Sequence, residues 1–291
     1  MAAAVGRLLG RPVVADLQGS VVGEMEAHGQ LGPAGPARAA LQALERAVLR
    51  WPGHLLASST RLAHDLVERW GVPAARVATL VDGVDPEVFR PGLAADDLRE
   101  RLQLTGKRVV AYVGVLTPYQ GVDDLLAAWP AVVRAVPEAH LLLMGYPREE
   151  HYRAEVTQRG LTASITVTGR MPYEALPRHL ALADVGVSPK HATTEANGKL
   201  LNYMAVGLPA VAYDGPISRE LLGEAGTYAP PRDVPGLAAA LAGLLADGPE
   251  RKRRGELLRE RVVARFGWPA LGRQLLEVYR QAILARGGRP A

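Results

Sequence analysis

The sequence predicts an α/β protein built on a doubly wound parallel sheet, and three observations carry that prediction. From Arg108 onward, short apolar runs alternate with segments of helical periodicity. The runs Val109-Val110-Ala111-Tyr112-Val113 and Leu141-Leu142-Leu143 are apolar at every position, as strands are when helices cover both faces of a parallel sheet. Leu, Ala and Val dominate while aromatic residues make up only 5%, which favours helices on a sheet over an aromatic-rich sandwich.

The elements follow in chain order. Pro12–Asp16 reads as a short strand. Gly32-Pro33-Ala34-Gly35-Pro36 is a loop ahead of a helix over Ala39–Arg50. His54–Ser58 is a strand. The helix after it, Ser59–Trp70, takes Ser59 or Thr60 as N-cap, since a hydroxyl there accepts from an otherwise unpaired first-turn N–H. Arg76–Val81 is a strand ending in the turn pair Asp82-Gly83. From Asp85 to about Thr105, Pro86, Pro91 and Gly92 mark a connector. The predicted domains are therefore 1–92 and 93–268, with a C-terminal helix in 269–291. In the second domain the strands are Val109–Val115, His140–Met144, Ile165–Thr168, Val185–Ser188, Ala210–Tyr213 and Thr227–Ala229. Helices span Val122–Ala135, Glu149–Arg159, Tyr173–Ala183, Lys199–Val206, Ile217–Gly223 and Val234–Asp247. Two long polar helices, Glu250–Phe266 and Pro269–Arg286, follow.

Composition narrows the chemistry. The 291 residues suit two domains and contain no cysteine, so disulfides, thiolate metal sites and Cys nucleophiles are excluded. The simplest compartment is cytoplasmic. No apolar run approaches the roughly 18–20 residues of a membrane span. Thirty-four Lys and Arg against 30 Asp and Glu leave a small basic excess, compatible with phosphate-bearing ligands, an anionic membrane surface or an ordinary arginine-rich exterior. No basic run is interleaved with aromatics, so nucleic acid is not indicated.

Ligands of an open α/β sheet bind outside the carboxyl ends of its strands. Four loops fall there: Gly114–Gly121, Gly145-Tyr146-Pro147, Gly169-Arg170-Met171-Pro172, and Ser188-Pro189-Lys190-His191 leading to Glu195–Lys199. The last feeds a helix whose unpaired N–H groups and positive dipole end form a ready anion site. Each feature alone is weak, because a glycine after a strand is usually only a turn. Their coincidence at one sheet edge points to a nucleoside diphosphate.

On these motifs the chain resembles the GT-B glycosyltransferases of the large retaining family 4. Val81-Asp82-Gly83-Val84-Asp85-Pro86-Glu87-Val88-Phe89-Arg90-Pro91 is similar to that family's linker. Tyr112-Val113-Gly114 through Gly121-Val122-Asp123-Asp124-Leu125-Leu126 is similar to its first donor-domain strand, loop and helix, and Gly198–Pro209 to its nucleotide-sugar motif. The resemblance covers about Arg11 to Phe266. It implies two Rossmann-like domains, the N-terminal one holding the acceptor and the C-terminal one the nucleotide-diphosphate sugar. It further implies transfer with retention, no metal, no separate cofactor, and a glycan or lipid-linked acceptor. A lipid-linked acceptor leaves open a peripheral contact with the inner membrane face, although no basic amphipathic helix stands out.

Site roles follow from the resemblance residue by residue. Glu195 would hold donor-sugar hydroxyls. Gly198, Lys199 and Leu200 would offer backbone N–H groups to the diphosphate, with Gly114 and Asn197 beside them, and Arg170 and Met171 would contact the base. The pattern also departs from the family. Val115 stands where the family usually has Arg, and Gln120 where it has Lys, so two cations that stabilise the leaving diphosphate are missing. Lys190 and Lys199 are the candidate replacements, and Gln120 can offer an amide to a phosphate oxygen. Asn202 stands where a ribose-binding Glu is usual, and with Gly207-Leu208-Pro209 as the anchor Thr194 rather than Glu195 falls at the spacing of the first Glu. On the acceptor side Asp16 is a candidate polar group, and Gln18 occupies the place of a frequent active-site His. The N-terminal domain lacks the family's opening strand and glycine-rich loop, so it is expected to be incomplete. Two alternatives remain: a non-catalytic GT-B remnant that binds nucleotide or a protein partner, and a nucleotide-sugar epimerase of similar fold, whose catalytic carboxylates and His are not found.

Overall fold

The computed structural model describes residues 5, 6, 8–27, 30–32, 34–191 and 196–285. The chain divides into two compact units. The first takes in the chain up to Gly83 and from Trp268 on; the second runs from Val84 to Gly267 apart from 193–196.

The first unit carries β1 (Val14–Leu17), α1 (Val21–Ala27), α2 (Pro36–Leu49), β2 (His54–Ala57), α3 (Thr60–Glu68) and β3 (Val77–Thr79). Its strands pair in parallel in the order β1-β2-β3, with Val14 opposite His54 and Leu55 opposite Val77. Leu49, Leu55, Ala57, Leu62 and Leu66 form its core. Ser59 caps α3, its Oγ accepting from Leu62 N at 3.1 Å.

The second unit is the predicted doubly wound domain. It comprises α4 (Asp96–Arg101), β4 (Arg108–Val115), α5 (Val122–Ala135), β5 (Ala139–Tyr146), α6 (Glu149–Gln158), β6 (Ile165–Gly169), α7 (Leu176–Leu180), β7 (Val185–Ser188), α8 (Gly198–Ala205), β8 (Ala210–Tyr213), α9 (Pro216–Leu222), β9 (Thr227–Ala229), α10 (Val234–Ala246) and α11 (Gly248–Arg265). α12 (Trp268–Leu284) clusters with the first unit. The sheet order is β6-β5-β4-β7-β8-β9, all parallel. Leu141, Leu142 and Leu143 are wholly buried, as expected of a strand covered on both faces. Trp129 of α5 is also buried, its indole N–H donating to Ser164 Oγ at 3.1 Å.

Three expectations are corrected. The first unit ends at Gly83 rather than near Gly92. Val84 donates its N–H to Phe266 O at 3.1 Å and Phe89 is 1% exposed, so the Pro- and Gly-rich connector packs into the second unit. Tyr173–Ala183 is not one helix. A 3₁₀ turn over Tyr173–Ala175 precedes α7, with Pro177 in the first turn, where a missing N–H costs nothing. The connector also contains α4, whose first turn carries Asp96 and Asp97, favourable at the positive pole of the helix.

α11 gives the arginine excess a structural use. Arg251 donates to Leu244 O, Arg254 to Gly226 O, and Arg261 to Leu221 O and Glu220 O. Arg259 donates to the carbonyls of Pro86 and Phe89, each at 2.8 Å, and of Ala205. These guanidiniums bond carbonyls in the last turns of helices, where intrahelical partners run out, and in connecting segments.

Candidate functional site

The strand order reverses between β4 and β7, so the loops after these two strands leave the sheet in opposite directions and open a crevice. The two strands pair only at Val110 with Val185 and Ala111 with Gly186. Beyond that point α8 fills the gap. Tyr203, fully buried, donates its hydroxyl to Val187 O at 3.2 Å and accepts from Val113 N at 2.9 Å. The phenol thus completes backbone bonds that the diverging strands cannot make to each other, and burial pushes its pKa above the ordinary value, keeping it a donor.

The loop after β4 is built for close approach. Gly121 adopts a positive φ of 76°, and a Cβ there would stand 1.8 Å from Pro189 O, so only glycine lets this loop meet the one after β7. His191 N donates to Tyr119 O at 3.0 Å and ties the same two loops. Tyr112 OH holds the carbonyl of Val115 at 2.8 Å, while the Val115 side chain is 42% exposed.

Lys199, in the first turn of α8, reaches back to the loop after β4. Its Nζ donates to Gln120 Oε1 at 2.7 Å and to Asn197 Oδ1 at 3.4 Å, and lies 5.6 Å from the Tyr112 ring centroid. A methyl group on Gly114 would stand 3.0 Å from Lys199 Cε. The ammonium therefore sits against the loop after β4, beside Gln120 and Gly114. A charge disfavoured at a helix N-terminus is offset there by an amide oxygen and an aromatic face.

Next to this cluster lies a cleft of about 720 Å³. Gly114, Val115, Met144, Tyr146, Arg170, Met171 and Tyr173 contribute to its wall, and the Arg170 guanidinium sits 4.9 Å from the Tyr146 ring centroid. Asn202 Oδ1 accepts from Tyr173 OH at 3.4 Å, which places it at the same end.

The expected site residues thus fall into separate groups. Gly114, Arg170 and Met171 line the cleft; Gln120, Lys199 and Asn197 form the adjoining polar cluster. Lys190 Nζ stands 5.9 Å from the Tyr119 ring centroid on the loop after β7. Gly198 is exposed at the start of α8. Two expectations change. The N–H of Leu200 already donates to Asn197 O at 3.0 Å, and its side chain is wholly buried, so it has nothing to offer a ligand. Asn197 is buried and exchanges hydrogen bonds with Ser188, so its amide is already engaged within the protein. Glu195 lies outside the described residues. Asp16 and Gln18 are exposed in the first unit, Gln18 Nε2 donating to Asp16 Oδ1 at 3.1 Å. Sequence reasoning missed Tyr203, whose place at helical spacing from Lys199 reads as ordinary core. It also left Asp124 unassigned, although two acidic residues open α5.

Two parallel units, the second with a ligand crevice at its strand switch, define a GT-B protein. The chain belongs to the family described as Glycosyl transferases group 1, whose model matches residues 107–247. A GDP-mannose-dependent alpha-(1-6)-phosphatidylinositol monomannoside mannosyltransferase of Mycobacterium tuberculosis is 33% identical over 224 residues, which cover 74% of this chain and 58% of that protein. An alpha-D-kanosaminyltransferase of Streptomyces kanamyceticus is 28% identical over 247 residues, covering 81% of this chain and 62% of that protein. The chain spans 55–62% of the length of these and further curated relatives that it matches. Sucrose-phosphate synthase from Thermosynechococcus elongatus shares the fold with a TM-score of 0.80 at 24% identity, over 98% of this chain and 72% of that one. HepE from Anabaena in complex with UDP does so with a TM-score of 0.80 at 18% identity, over 95% and 74%. Among the described residues, no helix is long and apolar enough to cross a membrane.

Proposed function

We propose that this chain supplies the donor site of a retaining glycosyltransferase that moves a sugar from a nucleotide-diphosphate sugar to a glycan or lipid-linked acceptor. The observation that carries the reading is Lys199, held against Gln120 and Gly114 at the N-terminus of α8. As the bond from the anomeric carbon to the diphosphate breaks, negative charge grows on the leaving oxygen. An ammonium and aligned N–H groups at that place stabilise it without a metal ion. The cleft lined by Tyr146, Arg170 and Met171 suits the base, and Asn202, steadied by Tyr173, suits a ribose hydroxyl. Glu195 would hold the sugar, while Asp16 and Gln18 would face the acceptor. The relative named as a GDP-mannose-dependent phosphatidylinositol monomannoside mannosyltransferase supports a lipid-linked acceptor, and with such an acceptor the proposed place of work is the inner membrane face.

Calorimetric titration with GDP and UDP, followed by transfer assays with a panel of nucleotide sugars, tests the proposal. Lys199→Ala is expected to weaken nucleoside diphosphate binding more than Lys190→Ala does, and to lower turnover by roughly 100- to 1000-fold. Equal affinities of wild type and Lys199→Ala would overturn the assignment. The second reading, a GT-B remnant that binds nucleotide and transfers nothing, is favoured by Val115 and Gln120 standing in place of cations, and tight binding without turnover of any donor would establish it.

A further inference from the structure

We propose that His191 is a positioning residue, which fixes the loop after β7 against the loop after β4 at the separation a diphosphate requires. This inference rests on the donor-site reading above. His191 Nε2 lies 2.8 Å from Asp124 Oδ2. Tyr213 OH donates to the same oxygen at 2.8 Å, and the two rings face each other at 5.9 Å with an interplanar angle of 26°. Asp124 sits in the first turn of α5, the helix that the loop after β4 feeds, and Tyr213 ends β8. A carboxylate is stabilised in that turn by the helix dipole, so it forms a fixed anchor. Burial, followed by the Asp124 contact, holds the Tyr213 phenol well above its ordinary pKa, so it remains a donor.

The main chain of His191 makes the second tie. Its N–H donates to Tyr119 O, one residue before Gln120, and Gln120 receives the Lys199 ammonium. One residue thus bonds through its backbone to the loop after β4 and through its side chain to the helix that follows that loop. Both bonds join the segment after β7 to the loop after β4 and the helix it feeds. Lys190, the neighbouring cation, is carried on the stretch they hold.

The test uses the full chain and four variants. GDP and UDP are titrated calorimetrically into wild type, His191→Ala, His191→Gln, His191→Asn and Tyr213→Phe, and a melting temperature is measured for each. His191→Ala is expected to lower affinity for the better-bound nucleotide about tenfold, the equivalent of one hydrogen bond to a charged group. Gln, whose amide nitrogen reaches the position of Nε2, restores it to within about threefold. Asn is too short to reach Asp124; it behaves like Ala and serves in its place if the alanine variant does not fold. Tyr213→Phe removes the other donor to Asp124 but leaves the loop tied. It lowers the melting temperature and leaves affinity unchanged. Unchanged affinity in His191→Ala or His191→Asn overturns the proposal. So does a loss of affinity in Tyr213→Phe equal to that in His191→Ala, which would mark a purely structural cluster. If wild type binds neither nucleotide, the donor-site reading falls and this role falls with it.

Discussion

Tyr203 and Lys199 lie four residues apart on one face of α8 and divide the work at the strand switch. Tyr203 closes the gap between β4 and β7 with two backbone hydrogen bonds, and Lys199 presents charge at the mouth of that gap. Tyr203→Phe keeps the ring and leaves Val113 N–H and Val187 C=O without this partner. An unsatisfied buried group costs about 1–3 kcal/mol, so a loss of that order is expected in urea unfolding, with the slope unchanged. Of the pair, only Lys199 was legible in the sequence, because a lysine at a helix start is out of place. The reach of Lys199 to Gln120 was not legible, since it depends on where α8 docks. The same holds for Leu200 and Asn197. Motif position marks them as ligand residues, but Leu200 spends its N–H within its own first turn and Asn197 pairs with Ser188.

At the scale of elements, apolar strand runs and helical periodicity fixed most boundaries of the second unit to within a residue or two. Short elements escaped. α4 is six residues long and sits among prolines and glycines, so it has too few turns to show a period. The role of α11 was also hidden. Its arginines read as a polar surface, but the carbonyls that Arg254, Arg259 and Arg261 bind come from far away in the chain. Arg259 is the clearest case, and burial lowers its pKa from the ordinary arginine value. Arg259→Met removes the donor to three carbonyls and is expected to cost roughly 1.5–3 kcal/mol in chemical denaturation. Arg259→Lys recovers only part of this, because an ammonium lacks the planar fork.

For the molecule as a whole, the fold was readable because composition, strand burial and loop chemistry agree. The acid response of the protein was not readable, because it depends on which histidine is buried. His140 on β5 shares a hydrogen bond with Thr166 Oγ1 at 2.9 Å, and its Nδ1 has no partner among the described residues. Burial first, and then Lys107, lowers its pKa from 6.5 to about 4. The unfolded chain therefore takes up the proton at higher pH than the folded one. Stability is intact above pH 6.5 and falls as the pH drops towards 4, by on the order of 3 kcal/mol. Urea unfolding of wild type and His140→Leu at pH 7, 5 and 4 checks this. Wild type should lose stability across that window, and the variant should lose less.

The contacts of Arg259 also bear on where an autonomous fragment of this protein could be cut. The stretch that matches the family model ends at residue 247, one residue before α11 begins. A deletion at that point would keep every loop of the crevice and all six strands of the larger sheet. It would also strip the Ala205 carbonyl, at the trailing end of α8, of its guanidinium donor, together with the carbonyls of Pro86 and Phe89. The smallest stable piece of the larger unit is therefore expected to be longer than the stretch that matches the family model, and to include α11.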